Sequence, residues 1–204
     1  MSAKRNVLKA SVIALTLVSA FANAADDGIV SDDGGVTLLG HVYTGTCVVT
    51  TNGQDSTDTV RPEVTMPSIL IADVKDAAIG DLLGDNFSKF NVEVSGCADD
   101  VVPKAIAFNQ GVFGVDSAGV DSYKNDFIGQ GSTPVATGVN AAIVLPSAPT
   151  AAVTFGQELP LVKTSAGDTD FTGNVEVGAQ FVKTAATIGS GAFTSVATFD
   201  IVYN

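Results

Sequence analysis

The run Phe90-Asn91-Val92-Glu93-Val94 alternates apolar with polar side chains, and this period of two most narrows what the chain can become. Successive side chains of a strand point to opposite faces, so the run predicts a strand with one face buried and one wet. The alternation returns at the end of the sequence, where Ala197, Phe199, Ile201 and Tyr203 share one face. It appears near the beginning as well: Val36 and Leu38 share a face, and Gly40 follows in the same register. Further strand-like runs cover residues 41–50, 60–71, 105–108, 139–145, 159–163 and 175–182. Clusters of Gly, Asn, Asp, Ser and Pro punctuate them at 51–56, 95–100, 129–134 and 165–169, which are turn signals. Pro62 and Pro67 suit an edge or interrupted strand, because proline cannot donate to a ladder. Only residues 73–83 read as a short helix, and Gly80 weakens it. Many short strands, without a strong alternation of helices, predict an all-β sandwich or barrel with no domain linker and no internal repeat.

The first two dozen residues read as an address. Lys4, Arg5 and Lys9 give a basic start, residues 12–18 an apolar middle, and Ala22-Asn23-Ala24 small residues at a cleavage site. That pattern predicts a secretory signal over residues 1–24, cut after Ala24. The alternative is a membrane anchor. The apolar stretch from Ala10 to Ala22 is about 13 residues, whereas a spanning helix needs roughly 20. Cleavage removes three basic residues and leaves a 180-residue chain with 7 basic and 22 acidic side chains, a charge of −15. An exported chain meets an oxidising compartment, so Cys47 and Cys97 are read as a disulfide. They lie 50 positions apart, and closing that loop restrains the unfolded chain by roughly 4 kcal/mol in the entropy model. Two free thiols, one of them a nucleophile, are the alternative.

The two ends of the mature chain carry the rest of the reading. Residues 25–33 hold four Asp and little apolar matter, and a strand from Gly34 to Gly40 precedes the first cysteine. The chain then stops inside its best strand, a strongly apolar one, at Tyr203-Asn204. An apolar strand at a sheet edge invites aggregation, or addition of another chain's strand.

In order along the chain stand Gly34–Gly40, Cys47-Val48-Val49, the alternating strand Phe90–Val94 with Ser95-Gly96-Cys97, Lys104–Phe108, Gly138–Ile143, and Ala197–Asn204 with its penultimate Tyr203. This succession resembles the fimbrial (pilin) subunits of the chaperone–usher pathway, specifically the type 1 fimbrial major-subunit family, over nearly the whole mature chain. The resemblance implies an incomplete immunoglobulin-like sandwich lacking its C-terminal strand and completed in trans by a donor strand. It divides the chain into the signal 1–24, a donor-strand extension 25–40 and a pilin domain 41–204. It implies a donor face of Gly34, Val36, Leu38 and Gly40. The acceptor groove and chaperone contact would be Ala197, Phe199, Ile201, Tyr203 and Asn204, with the first four facing the core and the Asn204 carboxylate as the chaperone's anchor. The implied partners are other fimbrial subunits, a periplasmic chaperone and an outer-membrane usher, and the implied location is a fimbria at the cell surface. No enzyme activity and no cofactor are implied. The long acidic segment before Gly34 and residues 111–137 depart from the family pattern.

Other readings of the same residues are weaker. Val36 and Leu38 on their own would serve as an ordinary first strand, and Tyr203 as a core aromatic with its hydroxyl at the surface. A self-contained exported β-sandwich binding module, for carbohydrate for example, is the alternative of a different class. A hydrolase using paired carboxylates such as Asp99-Asp100 is a distant third. His41 is the only histidine, and no Gly-x-Ser-x-Gly elbow accompanies it. One histidine and two cysteines do not make a four-ligand zinc site. Asp168-Thr169-Asp170-Phe171-Thr172-Gly173 opens like a calcium loop, but Ala179 stands where a bidentate Glu is needed. Asn86-Phe87-Ser88 matches a glycosylation triplet of the kind that arises by chance. The acidic balance opposes a nucleic-acid partner, since binding a phosphate backbone needs clustered Lys and Arg. N-terminal sequencing of the exported protein is expected to begin at Ala25; recovery of Met1 would refute the cleaved signal.

Overall fold

The computed structural model describes residues 47–56, 61–98, 101–117, 119–129, 132–164 and 171–203. The expected signal, the donor residues Gly34, Val36, Leu38 and Gly40, His41, Asp99-Asp100, Asp168 and Asn204 lie outside the described residues.

Twelve strands and one helical turn follow one another: β1 (Val48–Thr51), β2 (Gln54–Asp55), α1 (Ile71–Val74), β3 (Leu82–Ser95), β4 (Pro103–Asn109), β5 (Gly114–Ser117), β6 (Val120–Lys124), β7 (Val139–Leu145), β8 (Ala148–Ala152), β9 (Glu158–Pro160), β10 (Val162–Lys163), β11 (Thr172–Lys183) and β12 (Thr198–Tyr203). Nine strands form one sheet ordered β2-β1-β3-β11-β7-β6-β5, with β10 beside β11 and β8 beside β7. The other three form a sheet ordered β12-β4-β9. Every pairing between named strands is antiparallel. The larger sheet curls into a half-barrel, and the whole is a sandwich-like all-β fold.

Alternation explains the core. In β3, Phe90, Val92 and Val94 are buried while Asn91 and Glu93 are only partly covered. They meet Ile106 and Phe108 of β4, Leu159 of β9, Ile143 of β7 and Val177 of β11 in one cluster shared by both sheets. β4 reads apolar almost throughout because it is the middle strand of its sheet, and Ala105, Ile106, Ala107 and Phe108 are all buried. Cys47 and Cys97 form the expected disulfide at the end of the β1–β3 pair. The stretch from Thr172 to Lys183 is a strand, so Thr172 and Gly173 belong to the β11 ladder and Ala179 occupies no loop.

Two expectations are corrected. The run 60–71 is not a strand: 61–70 joins no ladder, and Ile71 begins α1. Pro62 and Pro67 remove the amide donors a ladder needs, yet partly buried Val64 and Met66 alternate with exposed Glu63 and Thr65. The helix expected over 73–83 shortens to Ile71–Val74, because Gly80 takes φ 95° and Leu82 already opens β3. Residues 111–137, outside the family pattern, contain the hairpin β5–β6, with Gly119 at φ 81° in its turn.

A second, smaller cluster holds Val74, Leu83, Ala136 and Val139, with Phe181 and Phe193 packed edge to face against each other beside it. Beside α1 lies Lys183, only 4% exposed, whose Nζ donates to the carbonyls of Lys75 at 2.7 Å and Ala77 at 2.8 Å. These carbonyls follow the helical turn, so the buried ammonium fixes the 71–80 connection onto β11 through charge-assisted hydrogen bonds. Replacing Lys183 with Met keeps most of the stem but leaves both carbonyls without this donor. Lys183→Met is therefore expected to destabilise the fold by about 2 kcal/mol, read as a lower denaturation midpoint.

Candidate functional site

The last strand, β12, owes its position to two faces with different chemistry. Phe199 and Ile201 are half-buried and pack on the main core cluster, with Phe199 meeting Phe108 edge to face at 5.7 Å. Asp200, between them, points to the exposed side and accepts from Asn109 Nδ2 at 2.9 Å. β4 fixes the register through Thr198↔Asn109, Phe199↔Phe108 and Ile201↔Ile106. Among the described strands, β12 stands at one end of the three-stranded sheet, with β4 its neighbour.

Each end of β12 is tied down. Thr198 Oγ1 hydrogen-bonds Asn109 Oδ1, and the Tyr123 hydroxyl lies 2.8 Å from the Asn109 carbonyl and 3.2 Å from that of Thr198. Tyr123 sits on β6 of the larger sheet and is almost fully buried, so its hydroxyl joins the two sheets where β12 starts. At the far end the Tyr203 hydroxyl lies 3.9 Å from Cys47 Sγ, next to the disulfide. The approach to β12 is organised by Asn125. Its Nδ2 donates to the Ala136 and Ala192 carbonyls at 2.9 and 3.0 Å, and its Oδ1 accepts from the Phe127 and Thr194 amides at 3.0 Å each.

Val49 of β1 and the unladdered Val64 and Met66 are partly buried against the cluster that Phe199 and Ile201 also touch. Segment 61–70 is held to β3 by a hydrogen bond from Ser88 Oγ to the Thr65 carbonyl rather than by a ladder.

Of the residues picked out in the sequence, Cys47 and Cys97 are bonded, and Phe199 and Ile201 share the inner face of β12. Ala197 differs from the core-facing expectation: it is exposed and precedes the strand. Tyr123, Asn109, Asn125, Val64 and Met66 were not singled out. Val64 and Met66 carried a signal in their alternation; the others showed nothing local, because their partners lie far along the chain. Among the described residues no group of three His, Cys, Asp or Glu side chains is placed to hold a metal ion, and no helix is long and apolar enough to cross a membrane. An open groove of about 630 Å³ runs between residues 67–77 and 82–86, where its carboxylates are those of Asp73 and Asp85.

No protein-family model matches the chain, and no curated protein matches it significantly.

Burial pushes the Tyr123 phenol well above its ordinary value of 10.0, and the Asp121 and Asp200 carboxylates add to the shift. A proton held more tightly when folded than when unfolded gives stability that is complete below pH 10.0 and is lost as the pH rises above it. Tyr123→Phe is expected to cost about 2 kcal/mol at neutral pH, since it leaves the Asn109 and Thr198 carbonyls without their shared donor. The same variant should lose part of the alkaline drop in stability, as urea midpoints across the alkaline range would show.

Proposed function

We propose that this protein is a structural subunit of an extracellular fimbria, polymerising by donor-strand complementation and exchange and supporting cell adhesion. The observation that carries the reading is β12: a strand at the end of its sheet among the described strands, with Phe199 and Ile201 only half covered on the main core cluster. In this reading the fold is an immunoglobulin-like sandwich short of its last strand. Gly34, Val36, Leu38 and Gly40 of one copy fill the place beside β12 of the next. Backbone hydrogen bonds supply affinity there, and alternate apolar side chains supply register. No covalent step is needed.

The export signal, the disulfide and the resemblance to pilins give the route. A periplasmic chaperone occupies the groove first, meeting Phe199, Ile201, Tyr203 and the Asn204 carboxylate. An outer-membrane usher then exchanges it for the incoming subunit's arm. Ala197, exposed before β12, belongs to the rim of that surface rather than its floor.

The test joins residues 34–40 behind Asn204 in the same chain. The fused protein is expected to be monomeric and much more resistant to unfolding than the unfused one. An unfused protein that is a cooperative monomer and ignores the added strand would favour a self-contained binding module. Val36→Asp with Leu38→Asp should leave subunit–chaperone complexes intact while stopping incorporation as a donor. Normal fibres from that double variant would make the donor assignment wrong.

A further inference from the structure

The open groove between residues 67–77 and 82–86 lies apart from β12: none of its lining residues belongs to that strand or to the main core cluster. Its apolar lining comes from the smaller core. Val74 and Leu83 are buried, Ile69 and Ala77 pack against them, and Leu70 beside them is 70% exposed. Both walls carry backbone outside any ladder. On one, the Ser68, Ile69 and Leu70 amides donate to no backbone carbonyl among the described residues. On the other, β11 pairs Ala179 with Ser88 and Phe181 with Leu83, so residues 84–87 bulge from β3 opposite Gln180 alone. Gln180, only 4% exposed, holds this bulge: its Nε2 donates to the Gly84 carbonyl at 2.6 Å. Its Oε1 has no donor among the described residues. The charges in the groove have one sign. Asp73 and Asp85 are exposed, neither joins an ion pair among the described residues, and no Lys or Arg lines the groove.

We propose that this groove binds an extended basic peptide segment of another protein, its backbone pairing along residues 68–70 and its Lys or Arg side chains meeting Asp73 and Asp85. Three observations fix that chemistry. Amides outside any ladder beside an apolar surface are what an added strand pairs with, and alternate side chains of that strand then face the apolar lining. The side-chain oxygens of Asp73, Asp85 and Gln180 leave acceptors in surplus, so the occupant must bring donors, and an ammonium or guanidinium brings donors and opposite charge together. Another copy of the mature chain does not supply such a segment, because its basic residues stand singly along the sequence. The site is independent of strand donation at β12 and serves a fibre subunit or a self-contained module alike.

The test measures binding of a labelled pentapeptide alternating lysine with leucine to the exported protein. Asp73→Asn with Asp85→Asn is expected to weaken binding about fivefold or more while the urea midpoint stays unchanged, since each exposed carboxylate adds a modest, salt-screened attraction. Asp116→Asn with Asp126→Asn removes the same charge elsewhere and should leave affinity within about twofold. The same peptide with its backbone nitrogens methylated should lose most of its binding, because it keeps its charge and cannot pair as a strand. A methylated peptide that binds as well as the parent overturns the strand pairing. No measurable binding by the wild-type protein, or equal weakening in the two double variants, overturns the site. Either failure leaves strand donation at β12 standing.

Discussion

Around the core shared by the two sheets, β4, the middle strand of three, is buried on both faces, while β12, at the end of that sheet among the described strands, leaves Phe199 and Ile201 only partly covered. Phe199 stands edge to face on Phe108, which is itself fully buried. Fully burying an aromatic or branched side chain is worth about 1.5–3 kcal/mol, so apolar surface left half covered favours a further covering element.

Apolar contacts on one face alone give β12 no fixed ends. Polar groups supply them. Tyr123 reaches from the large sheet to carbonyls of β4 and β12, and Tyr203 meets the disulfide at the other end. Asn125 uses both ends of its amide to set the chain that enters β12. Lys183 does the same for the connection after α1. Buried groups of this kind are costly when unpaired, so each specifies one arrangement over its neighbours.

Much of the frame was legible because period two survives wherever a strand has one wet face. Phe90–Val94 of β3 and β12 announce themselves this way, and β7 by a run that is apolar but for Asn140 and buried almost throughout. Segment 61–70 shows the limit of the signal. Its side chains alternate in burial like those of a strand, but its two prolines prevent the ladder, so pattern and pairing part company. Short strands such as β5 and β8 are set by partners across the sheet and leave little trace in their own residues, and the run expected over 159–163 divides between β9 and β10, which pair in different sheets. The polar ties were illegible for a related reason. Nothing near Lys183 in sequence reveals that its acceptors lie 108 and 106 positions away, and nothing near Tyr123 reveals that Thr198, 75 positions on, lies beside it.

The acid balance bears on how the proposed subunits would be joined. For copies cleaved as expected after Ala24, at −15, long-range electrostatics opposes contact, although ionic screening confines that repulsion to roughly 8 Å at physiological strength. Lys75, Lys89 and Lys104 pair with Asp76, Glu176 and Glu158 within the subunit, and Lys183 is buried. The strand donation proposed above would draw on terms that do not depend on charge: backbone hydrogen bonds along a strand edge and removal of apolar surface from water. It would do so on a surface where Asp200 accepts a hydrogen bond from Asn109 on the outer face, leaving the inner face to Phe199 and Ile201. The sparing use of basic residues, which at first only excluded a nucleic-acid partner, is thus compatible with a protein joined by its backbone and apolar side chains.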